Sequence, residues 1–279
     1  LTTIKDVYIA TNGAHRLFDN LSSPQLKITN FVLNTRVASD LFVNTSYTKI
    51  ENIHTKITSS ANRIYANNPN IQYFNNISIT GGTGTFAQYA FENCSNLIAL
   101  TNCNISVNNA YALFHLCSNL TTLENVTINA NNTRRMFQGC NSMPEIHDLV
   151  ISGNVAAQYY LDHTTGPNKA RDLYFPTATS SYRFCYGNTS VMTSVHNIYF
   201  PNVTSITNTF YNANNLVTVS NVYFNNITTQ VTNNCFQYCY NLRTVENLCI
   251  PNITNGYMLF YHCPNLENVS LKPMPNLTN

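Results

Sequence analysis

The chain has 279 residues, 44% of them apolar, which is ample for a continuous core, while charged residues make up only 9%, against about 25% in ordinary domains. A net charge of +2 with no basic run excludes the clustered Lys/Arg that nucleic acid or an anionic membrane needs. No run of 18 apolar residues could span a bilayer.

The opening, LTTIKDVYIA, lacks the basic and apolar blocks of a signal peptide and reads as mid-repeat, so a longer parent chain is expected. About one residue in six is Asn. The first apolar–x–apolar triplet, VYI (7–9), follows Asp6, and the second, FVL (31–33), follows Asn30. The pattern then recurs with ISI (77–79), VTI (126–128), LVI (149–151), LYF (173–175), IYF (198–200), VYF (222–224) and LCI (248–250). Each triplet predicts a short strand with two residues inward and the middle one outward. Pro201–Asn202 and Pro251–Asn252 end two of them, since proline cannot donate to a ladder.

Two ladders fix the period. An Asn or Asp closes segments such as NLIALTN (96–102) and NLTTLEN (119–125), and recurs at Asp6, Asn30, Asn52, Asn76, Asn102, Asn125, Asp148, Asp172, Asn197, Asn221 and Asn247, at intervals of 22 to 26 residues. An aromatic recurs at Phe18, Phe42, Tyr65, Phe91, Phe114, Phe137, Tyr160, Phe184, Phe210, Phe236 and Phe260. Three residues after most of these stands a small residue, as at Cys94, Cys117, Cys140, Gly187, Ala213, Cys239 and Cys263. One such unit cannot bury its apolar face alone, so the units must stack. The expected fold is a β-dominant solenoid of about eleven repeats of roughly 24 residues, each a parallel strand plus a short helical or irregular turn, in a single domain over 1–279. The aromatics are expected to fill the core and the Asn/Asp ladder to satisfy buried backbone groups at the turn. The inserted GGTGT near residue 81 and the irregular stretch 153–170 are expected to be surface loops.

AFENCSNL (90–97), LFHLCSNL (113–120), MFQGCNSM (136–143), CFQYCYNL (235–242) and LFYHCPNL (259–266), with IPNIT (250–254) and FPNVT (200–204), resemble the BspA-like class of leucine-rich repeats. The first 70 residues and 150–190 carry this pattern less clearly. The resemblance implies a leucine-rich-repeat solenoid on the surface of a cell, of the kind that bacteria and some parasitic protists use to adhere to host proteins, matrix or other cells. It supplies no catalytic residue. High Asn and low charge leave a virion or phage appendage, or a structural stalk, as the alternative.

Sites of chemistry are not apparent. GGTG (81–84) lacks the Lys-Ser/Thr of a phosphate loop. Cys235, Cys239, His262 and Cys263 suggest zinc, but Cys239 and Cys263 share the phase of Cys94 and Cys117, which have no such neighbours, so buried free thiols are expected and no metal or cofactor. Asp162–His163 reads as a loop pair. The reading is therefore a non-catalytic binding module, extracellular or on a cell or virion surface, for a protein or carbohydrate on another surface. The apolar first unit and the stop inside a repeat favour self-association through uncapped ends. Among the outward strand residues, Tyr174, Tyr199 and Tyr223 fall on consecutive coils and form the candidate binding stripe.

Overall fold

The computed structural model describes residues 3–21, 27–43, 45–82, 84–154, 166–187, 191–228 and 234–273. Tyr160, Asp162 and His163 lie outside them. The fold divides into two compact units, Leu1–Asn131 with Met136–Met143, and Asn132–Arg135 with Pro144–Asn279.

In the first unit, β1 (Thr3–His15), β2 (Lys27–Ser39), β4 (Ile53–Ser60), β6 (Ser78–Gly81), β8 (Asn104–Ser106) and β10 (Thr127–Asn129) form a parallel sheet in that order. A second parallel sheet holds β3 (Lys49–Glu51), β5 (Tyr73–Asn75), β7 (Ala99–Thr101) and β9 (Thr122–Glu124). In the second unit, β11 (Ile146–Ser152), β12 (Lys169–Tyr174), β13 (Ser194–Phe200), β14 (Thr218–Phe224), β15 (Thr244–Leu248) and β16 (Asn268–Leu271) run parallel, each paired with the next. Pairing one coil with the next, as Thr3 with Lys27 or Ser194 with Thr218, makes each unit a parallel β-solenoid with the predicted period. The aromatic segments are turns, and no helix occurs among the described residues.

The Asn/Asp ladder has a different cause from the one expected. All eleven residues hold left-handed backbone, with φ between 50° and 56°. Asn and Asp tolerate that conformation better than other side chains with a Cβ. A left-handed residue cannot continue a strand, so the chain turns there. In the first unit Asn52 separates β3 from β4, and Asn76 separates β5 from β6. Where the strand runs through, the register omits the residue: pairing passes from His196–Ser220 to Ile198–Val222, skipping Asn197 and Asn221. The ladder side chains are exposed or half-buried and bond mainly to one another. Asn76 donates to Asn52 (2.6 Å), Asn125 to Asn102 (3.1 Å), Asn197 to Asp172 (2.8 Å), Asn221 to Asn197 (2.8 Å) and Asn247 to Asn221 (3.0 Å), while Asn102 reaches the neighbouring Asn75 (3.1 Å). Backbone groups there are met by the next coil's backbone, as in Asn102 N to Glu124 O (2.9 Å). The buried-backbone role predicted for these side chains therefore does not describe them.

The aromatic ladder forms a stack inside each unit. Phe91–Phe114 and Phe114–Phe137 stack at 5.3 and 5.7 Å, and Phe210–Phe236 and Phe236–Phe260 at 4.7 and 5.4 Å. Phe260 is half-buried and the others are fully buried. Phe184 stands one residue out of register. Left-handed residues flank the core aromatic two positions before and after, as Asn208 and Asn212 around Phe210, and in this coil they are Arg183 and Gly187. They centre Cys185, whose N–H bonds Thr209 O as that of Phe210 bonds Cys235 O. Phe184 remains buried, but its ring meets Phe210 edge-on, at 84°.

The cysteine ladder is also explained. Cys94 Sγ donates to Tyr65 O (3.1 Å), Cys117 to Phe91 O (3.0 Å), Cys140 to Phe114 O (3.2 Å), Cys239 to Phe210 O (2.9 Å) and Cys263 to Phe236 O (3.0 Å). Each thiol thus meets the carbonyl of the ladder aromatic one coil earlier. The cysteines of the described residues are all free.

Candidate functional site

The strand face of the second unit carries the predicted stripe. Register places Val150 beside Tyr174, Tyr174 beside Tyr199, Tyr199 beside Tyr223, and a bridge joins Tyr223 to Cys249. Tyr174 and Tyr199 are 43% and 42% exposed, and Tyr223 is half-buried. The Tyr199 and Tyr223 rings lie parallel, 5.0 Å apart at 5°. Strand alternation sets this arrangement, because Leu173, Ile198 and Val222 point inward and leave the next residue outward.

A polar column lies three residues before the tyrosines, with Arg171 paired to His196 and His196 to Ser220 in register. Here the side-chain ladder meets two acids in succession, Asp148 and Asp172, which cannot donate to each other. Arg171 supplies the missing donors. Its Nε binds Glu145 at 3.0 Å, its Nη1 lies 3.8 Å from Asp148, and the same nitrogen bonds Asp172. The Asn197 amide and then Arg171 hold the Asp172 carboxyl below the usual carboxylate range. His147 Nδ1 meets Asp148 at 2.7 Å, and His196 Nδ1 meets the Ser220 hydroxyl at 2.6 Å. The stripe is thus flat, aromatic and bordered by hydrogen-bonding groups already engaged with one another.

A second aromatic surface was not anticipated. It lies on the turns beside the core phenylalanines. The Arg183 guanidinium sits 4.2 Å over the Tyr186 ring, Tyr186 stacks on Tyr211 at 5.9 Å, and Tyr211 meets Tyr238 at 5.8 Å. Tyr238 then contacts Tyr240 and Tyr261, each at 6.1 Å, and stacks on His262 at 5.1 Å. Tyr240 and Tyr261 are 43% and 45% exposed. Taking only strand-middle positions as outward missed this row. Its sequence signal is a Tyr or His one or two residues after the core aromatic, in TFYNAN (209–214), CFQYCY (235–240) and LFYHC (259–263).

Among the described residues, neither surface brings a nucleophile together with a base and an orienting acid. Two open clefts are lined by Ala10, Thr11, Asn12, Asn34, Thr35, Arg36 and Thr58, and by Gly81, Gly82, Ser106, Val107, Asn108, Asn129 and Asn131, with no Cys, His, Asp or Glu in either. No group of three or more His, Cys, Asp or Glu able to hold a metal occurs among the described residues. Cys235 and Cys239, raised in the zinc reading, are buried, and burial pushes both thiols well above their ordinary range.

The coil period, the parallel strands and the stacked turn aromatics agree with the comparison to known families. Six copies of the BspA-type leucine-rich repeat region match residues 14–144 and 179–279. The chain belongs to the BspA-type leucine-rich repeat family. No curated protein and no solved structure matches it. Arrays of this BspA type are commonly surface-associated and typically non-catalytic, and they often serve binding. No helix among the described residues is long and apolar enough to cross a membrane.

Proposed function

We propose that the chain is a non-catalytic, surface-displayed binding or adhesion module, extracellular on a cell or virion, that recognises host protein, matrix or glycan. The observation that carries this reading is the row Tyr174–Tyr199–Tyr223, in register on three successive strands, with the Tyr199 and Tyr223 rings stacked on each other and Tyr174 and Tyr199 exposed. Tyrosine offers a large contact area at low cost in side-chain entropy and keeps a hydroxyl for hydrogen bonding. Residues 1–279 act as one such module; a single calorimetric transition supports this, and two would overturn it.

A structural stalk is the second reading, favoured by the Tyr199–Tyr223 stack, because cross-strand aromatic pairs stiffen a sheet by themselves. One variant separates the two. Tyr174/Tyr199/Tyr223→Ser, assayed for binding to immobilised cells and for thermal stability, loses binding at near-native Tm if the stripe is a binding face. Unchanged binding with a lowered Tm assigns the tyrosines to the sheet alone.

A further inference from the structure

The turn-side tyrosine row places two aromatic side chains at a left-handed turn position. Among the described residues, a left-handed residue stands two positions after the core slot of each coil. That column reads Asn20, Asn67, Asn93, Leu116, Gly139, Gly187 and Asn212, then Tyr238 and His262, with φ of 63° and 56° at the last two. Asn and Gly are what this conformation favours. His tolerates the conformation, but the bulky Tyr238 is held there against its own preference. Two such residues follow each other on adjacent coils, and their rings stack at 5.1 Å and 14°. They also stand at the centre of the row. Tyr211 packs against Tyr238 from the preceding coil, while Tyr240 and Tyr261 flank it with large exposed faces. Other coils also hold bulky residues left-handed, as at Arg63, Tyr89, Leu116 and Arg135, but here the left-handed Tyr238 lies at the focus of an exposed aromatic surface.

We infer that this row, Tyr186–Tyr211–Tyr238–His262 with Tyr240 and Tyr261 at its side, is a carbohydrate-binding site for an uncharged, linear oligosaccharide lying across the coils. The inference rests on the binding-module reading and adds a second surface and a ligand class to it. Three features select a neutral sugar. First, the row presents one or two rings per coil, with centroids 5.1–6.1 Å apart, so a linear chain of sugar rings can pack its apolar C–H groups along successive aromatics. Second, the phenolic hydroxyls and the imidazole both donate and accept, which matches sugar hydroxyls. Third, the row offers little charge to a charged partner: Arg183, at one end, is seated over Tyr182 and Tyr186, and Arg243 nearby in sequence is paired with Glu267 at 3.1 Å. Protein hot spots instead centre on desolvated pockets.

The test uses the full chain, immobilised neutral hexasaccharides of glucose, mannose, galactose and N-acetylglucosamine, and a panel of acidic and proline-rich peptides. The decisive variant is Tyr238→Asn/His262→Asn, which restores the residue type that other coils use at this position. The wild-type chain is expected to bind at least one hexasaccharide. The double variant is expected to lose at least tenfold in affinity with Tm unchanged or raised, since strain is relieved. If the double variant melts lower, Tyr240→Ser/Tyr261→Ser decides: tenfold weaker sugar binding at native Tm supports the site, and intact binding overturns it. No hexasaccharide bound by wild type, or equal binding by the double variant, overturns the inference. Loss of peptide binding rather than sugar binding in the double variant also overturns it, while leaving the binding-module reading in place.

Discussion

Asn125 holds left-handed backbone at φ 53° with an exposed side chain that donates to Asn102. Its replacement tests what the ladder does. Asn125→Ala should cost about 1 kcal/mol, from the Cβ in that conformation and the lost side-chain bond. Asn125→Gly should cost only a few tenths, because glycine enters the region freely. Denaturant midpoints check both, and an equal cost for Ala and Gly would contradict the conformational account. Tyr65 fills a slot that neighbouring coils give to Phe, and its hydroxyl is buried with no hydrogen-bond partner among the described residues. Tyr65→Phe should therefore stabilise the protein by about 1 kcal/mol, seen as a higher denaturant midpoint. Burial pushes the Cys94 thiol up to about 12 from an ordinary value of 9.0. Below pH 9 the thiol is protonated folded or unfolded, so it adds no pH dependence there. Above pH 9 the unfolded state loses the proton that the folded state keeps, and stability falls by about 1 kcal/mol per pH unit until the folded thiol titrates near 12. Comparing wild type with Cys94→Ala at pH 8 and pH 10 should show the smaller pH loss in the variant.

At the scale of the coil, the aromatic stack and the strand triplets hold each unit together. Phe137 is 1% exposed and stacked on Phe114 at 5.7 Å, so Phe137→Ala should cost about 3–5 kcal/mol by chemical denaturation. Thr127→Ala, on the exposed side of β10, should cost far less. These elements were legible in the sequence because a two-residue strand period and a 24-residue repeat both write themselves into residue type. The Asn ladder was legible as a position but not as a cause. Residue type alone does not distinguish an Asn that bonds buried backbone from one chosen for left-handed φ. Phe184 was placed one residue early, because a ladder read by residue type prefers the aromatic to Cys185, which occupies the slot by backbone pairing. The turn-side tyrosines escaped notice for a related reason. They lie on turns without period-two alternation, and only the contacts between coils bring Tyr211, Tyr238 and Tyr261 together.

For the whole molecule, a repeat array turns one residue per coil into a row, and a row is what a large or polymeric partner can grip. Rigid strands set the spacing of Tyr174, Tyr199 and Tyr223, and stacked turns set that of Tyr211, Tyr238 and His262. Binding by such rows should be multivalent along the chain and need no conformational change. The central claim is that this chain binds through its exposed aromatic rows and does no chemistry. The most direct measurement is adhesion of beads coated with the chain to cultured cells and to purified matrix, with wild type, Tyr174/Tyr199/Tyr223→Ser, and Tyr238→Asn/His262→Asn compared at matched circular dichroism. The account predicts that wild-type beads adhere and that at least one variant adheres tenfold less. Equal adhesion by all three, or no adhesion by wild type to any surface, would contradict it.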